Sequence, residues 1–110
     1  MIYKIKRDAE RRDISFDVEA KYLYELFEFQ QGLCALTGTP ITLPKCNDDD
    51  RHYNYTASLD RIDSKKPYVA GNVQWIHKTL QWMKWDKPES EFVEWCRKVA
   101  VYHEQQSTPS

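Results

Sequence analysis

No Cys-x-x-Cys pair occurs in this chain. Its three cysteines, Cys34, Cys46 and Cys96, stand at long and irregular spacings. Structural zinc sites usually read as two closely spaced ligand pairs. A zinc-stabilised small domain is therefore a poor reading, and the thiols are taken as buried or idle groups. No apolar run approaches the roughly 20 residues of a membrane span, so no membrane partner is expected. Met1-Ile2-Tyr3-Lys4 opens no apolar leader core, which points to an intracellular protein. A large excess of charge is missing too. Sixteen basic side chains face 17 acidic ones, the net charge is −1 and the pI is near 6.3, which argues against a strong non-specific nucleic-acid binder. Intrinsic disorder is excluded from the other direction, because four Trp, seven Tyr and four Phe are too many aromatics for it. There is no repeat, low-complexity stretch or internal linker. A length of 110 residues suits one compact domain and excludes a doubly wound cofactor-binding enzyme.

The near-neutral total hides alternating blocks. Residues 1–12 carry +3, residues 13–50 carry −6, residues 51–87 carry +4 and residues 88–110 carry −2. The third block can meet a polyanion locally. The acidic run Asn47-Asp48-Asp49-Asp50 lacks the alternating ligands and closing Glu of a calcium loop, and is read as a solvated loop over Lys45–Tyr55.

Hydrophobic periodicity organises the rest. Lys4 to Arg12 is a short helix or a basic arm. Val18, Tyr22, Leu23, Leu26 and Phe27 recur at helical steps, so a helix is expected over Asp17–Gln31, with Asp17 as its N-cap and Gly32 as its stop. Cys34 to Ile41 reads as two short strands around Gly38. Thr56–Ile62 alternates as a strand, Asp63–Val69 is a polar loop, and Gly71-Asn72 is a turn before the extended run Val73–Trp75. A helix is expected from Ile76 to about Trp85, with Ile76, Leu80 and Met83 facing the core. Pro88 opens a last helix, whose buried stripe is Phe92, Trp95, Cys96, Val99 and Tyr102 or His103. Trp75, Trp82 and Trp85 are read first as packing residues. The expected organisation is a basic arm over 1–12, one domain over 13–104 and a flexible tail over 105–110.

Chemistry concentrates in residues 56–85. Asp60 sits on a strand beside Arg61, and Asn72 follows a loop. On the expected helix His77, Gln81 and Lys84 share a face. A lone carboxylate with amide oxygens suits Mg²⁺, which keeps several waters. Arg and Lys nearby suit a phosphodiester.

The strings Ala57-Ser58-Leu59-Asp60-Arg61-Ile62-Asp63-Ser64, Pro67-Tyr68-Val69, Gly71-Asn72-Val73-Gln74-Trp75-Ile76-His77-Lys78 and Met83-Lys84 resemble the HNH endonuclease family. The likeness is greatest to the small HNH-like proteins common in bacteriophages. It extends outward to Gln31-Gly32, to Cys34-Ala35-Leu36-Thr37-Gly38 with Pro40-Ile41, and to Glu91-Phe92-Val93-Glu94-Trp95-Cys96, covering roughly residues 10–100.

This resemblance implies an α+β protein with a ββα-metal core, an N-terminal and a C-terminal helix packed on it, and hydrolysis of DNA with one Mg²⁺ or Mn²⁺ ion. Asp60 falls on the family's first metal ligand, Asn72 on its loop asparagine, and Gln81 on its helix ligand. Arg61 falls on the general base, usually His. Arg61 cannot act as a base near neutral pH, though it can hold phosphate charge. His77, Asp63, His52 or a metal-bound hydroxide is left to activate water, with His77 the first candidate. Lys65, Lys66, Lys78 and Lys84 are the expected DNA contacts. The expected activity is a divalent-metal-dependent DNA endonuclease. The alternative is a catalytically impaired module of the same fold that binds DNA or a protein partner. So small a surface points to a homodimer or a partner protein for sequence specificity.

Overall fold

The basic N-terminal segment is a helix, α1 (Ile2–Arg11), because Ile2, Ile5 and Ala9 recur at helical spacing and turn inward. The structure, a computed structural model, describes residues 2–43 and 55–107. Most of the acidic loop expected over 45–55, with Cys46 and His52, lies outside the described residues.

Seven further elements follow: β1 (Phe16–Asp17), α2 (Ala20–Phe29), β2 (Ala57–Arg61), β3 (Tyr68–Val69), β4 (Val73–His77), α3 (Lys78–Lys84) and α4 (Glu89–Ser107). The fold is α+β. Helix α2 starts later than expected. Phe16 and Asp17 pair in parallel with Tyr68 and Val69, so Asp17 belongs to a strand and cannot cap the helix. Glu19 takes the cap position with extended backbone and no side-chain cap bond. The helix ends at Phe29 with Gln30 as its C-cap, two residues before the expected Gln31. Gln31 and Gly32 both have positive φ, +59° and +67°. At Gly32 the conformation, not crowding, favours glycine, since an added Cβ would meet Phe27 only at 3.7 Å.

The two strands expected between Cys34 and Ile41 are absent. A single bridge joins Leu33 to Pro40, and Pro40 has no N–H to extend a ladder. Hydrogen bonds from Cys34 N to Thr39 O (2.7 Å) and from Gly38 N to Cys34 O (2.8 Å) close this loop instead.

Strands β2 and β4 form an antiparallel pair in the register Ala57↔His77, Leu59↔Trp75 and Arg61↔Val73. Because Ile76 and His77 pair with Ser58 and Ala57, they extend β4, and the helix expected from Ile76 begins two residues later. Trp75 is the pivot of the core. Its Nε1 donates to Leu23 O at 2.8 Å, and its ring meets Phe27 edge-on at 6.2 Å. Gln30 covers the outer side of β4 as a short surrogate strand. Its Nε2 donates to Trp75 O at 2.9 Å and its Oε1 accepts from Trp75 N at 2.9 Å.

Helix α4 starts after Pro88 with Glu89 and Glu91 at its positive end. It runs into the segment expected to be a tail, with helix described as far as Ser107. Its expected buried stripe is corrected: Phe92 is buried and Cys96 half-buried, but Trp95, Val99 and Tyr102 are exposed. No described helix is long and apolar enough to cross a membrane.

Candidate functional site

Asp60 lies directly opposite Gln74 across β2 and β4, so the two side chains share one face of the pair. Helix α3 and the first turn of α4 close over that face. Asp60 is 2% exposed and Lys84 is 0% exposed. Lys84 Nζ donates to Asp60 Oδ1 at 3.0 Å and to the Arg61 carbonyl at 2.8 Å. Gln74 Nε2 donates to Asp60 Oδ2 at 3.0 Å and to Glu89 Oε1 at 2.9 Å. Both oxygens of Asp60 are thereby engaged by protein donors. Burial raises the Asp60 carboxyl above its ordinary range. Hydrogen bonds from Gln74 and Lys84 and the charge of Lys84 pull it down, and Glu89 pushes it up, with burial dominant.

The next residues hold the loop. Arg61 Nη1 donates to Ser64 O at 2.7 Å and to Lys66 O at 3.1 Å, and its guanidinium lies 5.4 Å from the centre of the Tyr68 ring. Asn72 is buried beneath the same loop. Its Oδ1 accepts from Asp63 N at 2.9 Å, and its Nδ2 donates to Asp63 O at 3.1 Å and Pro67 O at 2.9 Å. Asp63, an alternative base in the sequence, instead caps the loop, its Oδ1 accepting from Lys65 N at 3.0 Å. Lys65 and Lys66 are left exposed at the tip.

On α3 the expected face is rearranged. His77 is the N-cap, not a helical residue, and its Nδ1 accepts from Thr79 N at 3.1 Å. Lys78 stays half-exposed with Nζ 5.8 Å from the centre of the Tyr55 ring. Gln81 is half-buried, and its Oε1 is buried with no hydrogen-bond partner among the described residues. Lys84, expected on the DNA-facing surface, is instead the most buried residue of the helix, because Asp60 on β2 draws its ammonium inward. Met83, expected in the core, is exposed in exchange.

Compared with family models, curated proteins and solved structures, the chain matches none. The reading of the site therefore rests on its own chemistry.

The implied divalent ion meets a mixed donor set. The unpartnered Gln81 oxygen is a free acceptor of the kind a ligand offers. Asp60 already accepts one hydrogen bond on each oxygen, from an amide and from an ammonium whose charge competes with a cation. Among the described residues no group of three His, Cys, Asp or Glu side chains is close enough to hold a metal. Lys84 therefore competes with an ion for Asp60. Gln74 and Glu89 are the participants that sequence reading missed. Gln74 was findable, because the strand pairing puts it opposite Asp60. Glu89 was not, because only the approach of α4 brings it there.

Proposed function

We propose that β2, the loop over 62–72, β4 and α3 form an HNH-type ββα core that acts as a nucleic-acid-binding module and does not cleave. The observation that carries this reading is the Asp60–Lys84 pair, in which an internal ammonium fills the place that a hydrolytic metal would need. The architecture of an antiparallel strand pair followed by a short helix supports the ββα assignment, as does an asparagine that ties the intervening loop. Arg61 and His77 are committed to loop and cap contacts, and among the described residues no imidazole stands at the position of the family's base. As a neutral unit, the ion pair leaves the +4 balance of residues 51–87 intact, and Lys65, Lys66, Lys78 and Lys87 remain outside the core to meet phosphate.

A second reading is the metal-dependent endonuclease using Mg²⁺ or Mn²⁺, and the unpartnered Gln81 oxygen favours it. One experiment separates the two. Supercoiled plasmid is incubated with the protein in Mg²⁺ or Mn²⁺, with EDTA and Asp60→Ala as controls, and DNA binding is followed in parallel by fluorescence anisotropy in EDTA. The module reading expects binding in EDTA and no cleavage in either metal. Cleavage removed by both controls would establish the endonuclease and overturn the module. Absence of binding by folded protein would overturn the nucleic-acid assignment itself.

A further inference from the structure

A concavity among the described residues is lined by neither member of the buried ion pair. It is a cleft of about 630 Å³ between α1 and the β2–α3 corner, lined by Lys4, Tyr55, Ser58, Lys78, Thr79 and Trp82 among others. A second hollow of about 280 Å³ adjoins it, sharing Lys4, Tyr55, Ser58 and Trp82. The volume is in the range of small-ligand sites. Trp82 is 83% exposed, so its indole supports none of the core that a tryptophan normally serves. Lys78 and Trp82 are four residues apart on α3 and therefore share a face. Lys78 reaches toward Tyr55, and Lys4 from α1 supplies a second cation on the wall. Two hydroxyls, Ser58 and Thr79, complete the polar rim. No carboxylate lines the larger cleft among the described residues.

We infer that this cleft binds single-stranded nucleic acid, with an unstacked base on the Trp82 indole and a flanking phosphate on Lys78. The inference rests on the nucleic-acid reading of the preceding section and adds the form of the ligand. A duplex buries both faces of each base in its own stack and offers Trp82 nothing to lie against. A single strand, or a base turned out of a duplex, presents a free π-face. An acidic peptide would satisfy the lysines but would leave the flat, exposed indole without a partner. Stacking and phosphate contact are also tolerant of sequence, which suits a cleft whose polar groups are ammoniums and hydroxyls.

Labelled 16-nucleotide oligo(dT) and oligo(U) and a 16-base-pair duplex are titrated with the intact protein in EDTA. The expected result is tighter binding of a single strand than of the duplex, and the two single-strand arms identify the sugar. Trp82→Ala should weaken single-strand binding about tenfold or more while duplex affinity is unchanged, and Trp82→Phe should recover most of the loss. Lys78→Gln should reduce the salt dependence by about 0.7 in the logarithmic slope. Because Trp82 is exposed, its replacement leaves the core intact, which circular dichroism verifies. Equal affinity for duplex and single strand, unaffected by Trp82→Ala, would overturn the cleft while the nucleic-acid reading stands. Binding of none of the three probes would overturn both.

Discussion

Lys84→Met retains the length and apolar stem of the side chain and removes only its ammonium. Asp60 then remains buried with Gln74 as its single donor, and the Arg61 carbonyl loses the Lys84 contact. Removing one partner of a buried pair costs about 3–5 kcal/mol, a large share of the roughly 5–15 kcal/mol that holds a domain together. At about 4 °C per kcal/mol for a chain of this size, the melting temperature should fall by about 12–20 °C. An exposed pair would lose no more than about 1 kcal/mol. Urea denaturation followed by tryptophan fluorescence measures the difference. The double variant Asp60→Leu/Lys84→Met should recover most of the loss, because an apolar pair of similar volume substitutes well for a buried ion pair and Gln74 keeps Glu89 as its acceptor. The loss should also depend on pH. Burial already places the folded Asp60 carboxyl above its unfolded value. A raised value means that the folded state favours the protonated form, so the associated stability is present below the unfolded pKa and lost as pH rises through the folded one. Lys84→Met removes two influences that lower the folded value, which moves it further up. The variant's deficit should therefore be greatest near neutrality and shrink on acidification toward about pH 4. A single variant costing less than about 1 kcal/mol at neutral pH, or a double variant no better than the single, would refute the account of the pair.

Asn72→Ala removes three hydrogen bonds that tie the 63–67 loop. It should cost about 1–3 kcal/mol in urea denaturation and expose the Lys65–Lys66 peptide to proteolysis. Arg61→His should not create cleavage activity in the plasmid assay. It should lose about 1 kcal/mol or more, because an imidazole cannot span the Ser64 and Lys66 carbonyls. His77→Ala should cost about 1 kcal/mol through loss of the α3 cap, measured by thermal denaturation. The wild-type melting temperature should be the same in Mn²⁺ as in EDTA, since only an ion that binds the folded state shifts it.

The helices and the β2–β4 pair were legible because local patterns specify them. Thr56–Ile62 and Val73–Trp75 alternate as strands, and Pro88 marks the start of α4. What escaped depended on distant chain. Phe16–Asp17 becomes a strand only because Tyr68–Val69 lies beside it, and Ile76–His77 stays extended only because β2 continues to pair. On α4 the apolar stripe is real in sequence, but helical periodicity does not say whether another element will cover it. Lys84 was misplaced for a related reason. A lysine in a basic, polar segment is ordinarily solvated, and only the carboxylate on β2, 24 residues earlier, makes burial of its ammonium favourable.

In the proposed reading, that pair accounts for how residues that resemble a metal centre can stand without a metal. Both a divalent ion and an ammonium serve to neutralise a carboxylate held out of water. At Asp60 Oδ1 the two compete. A magnesium ion binds oxygen at about 2.1 Å, and Lys84 Nζ already stands 3.0 Å from Oδ1. Even with the two cations on opposite sides of that oxygen, they would lie only about 5 Å apart. Their repulsion at an effective dielectric of about 20 would be roughly 7 kcal/mol, comparable to the stability of a small domain. A lysine seated there neutralises the carboxylate from within the chain, so the strand pair and helix can close without an ion. Metal loading at Asp60 Oδ1 with Lys84 in place would have to overcome that repulsion. In the proposed reading the ammonium therefore carries more weight than Arg61 or Gln81.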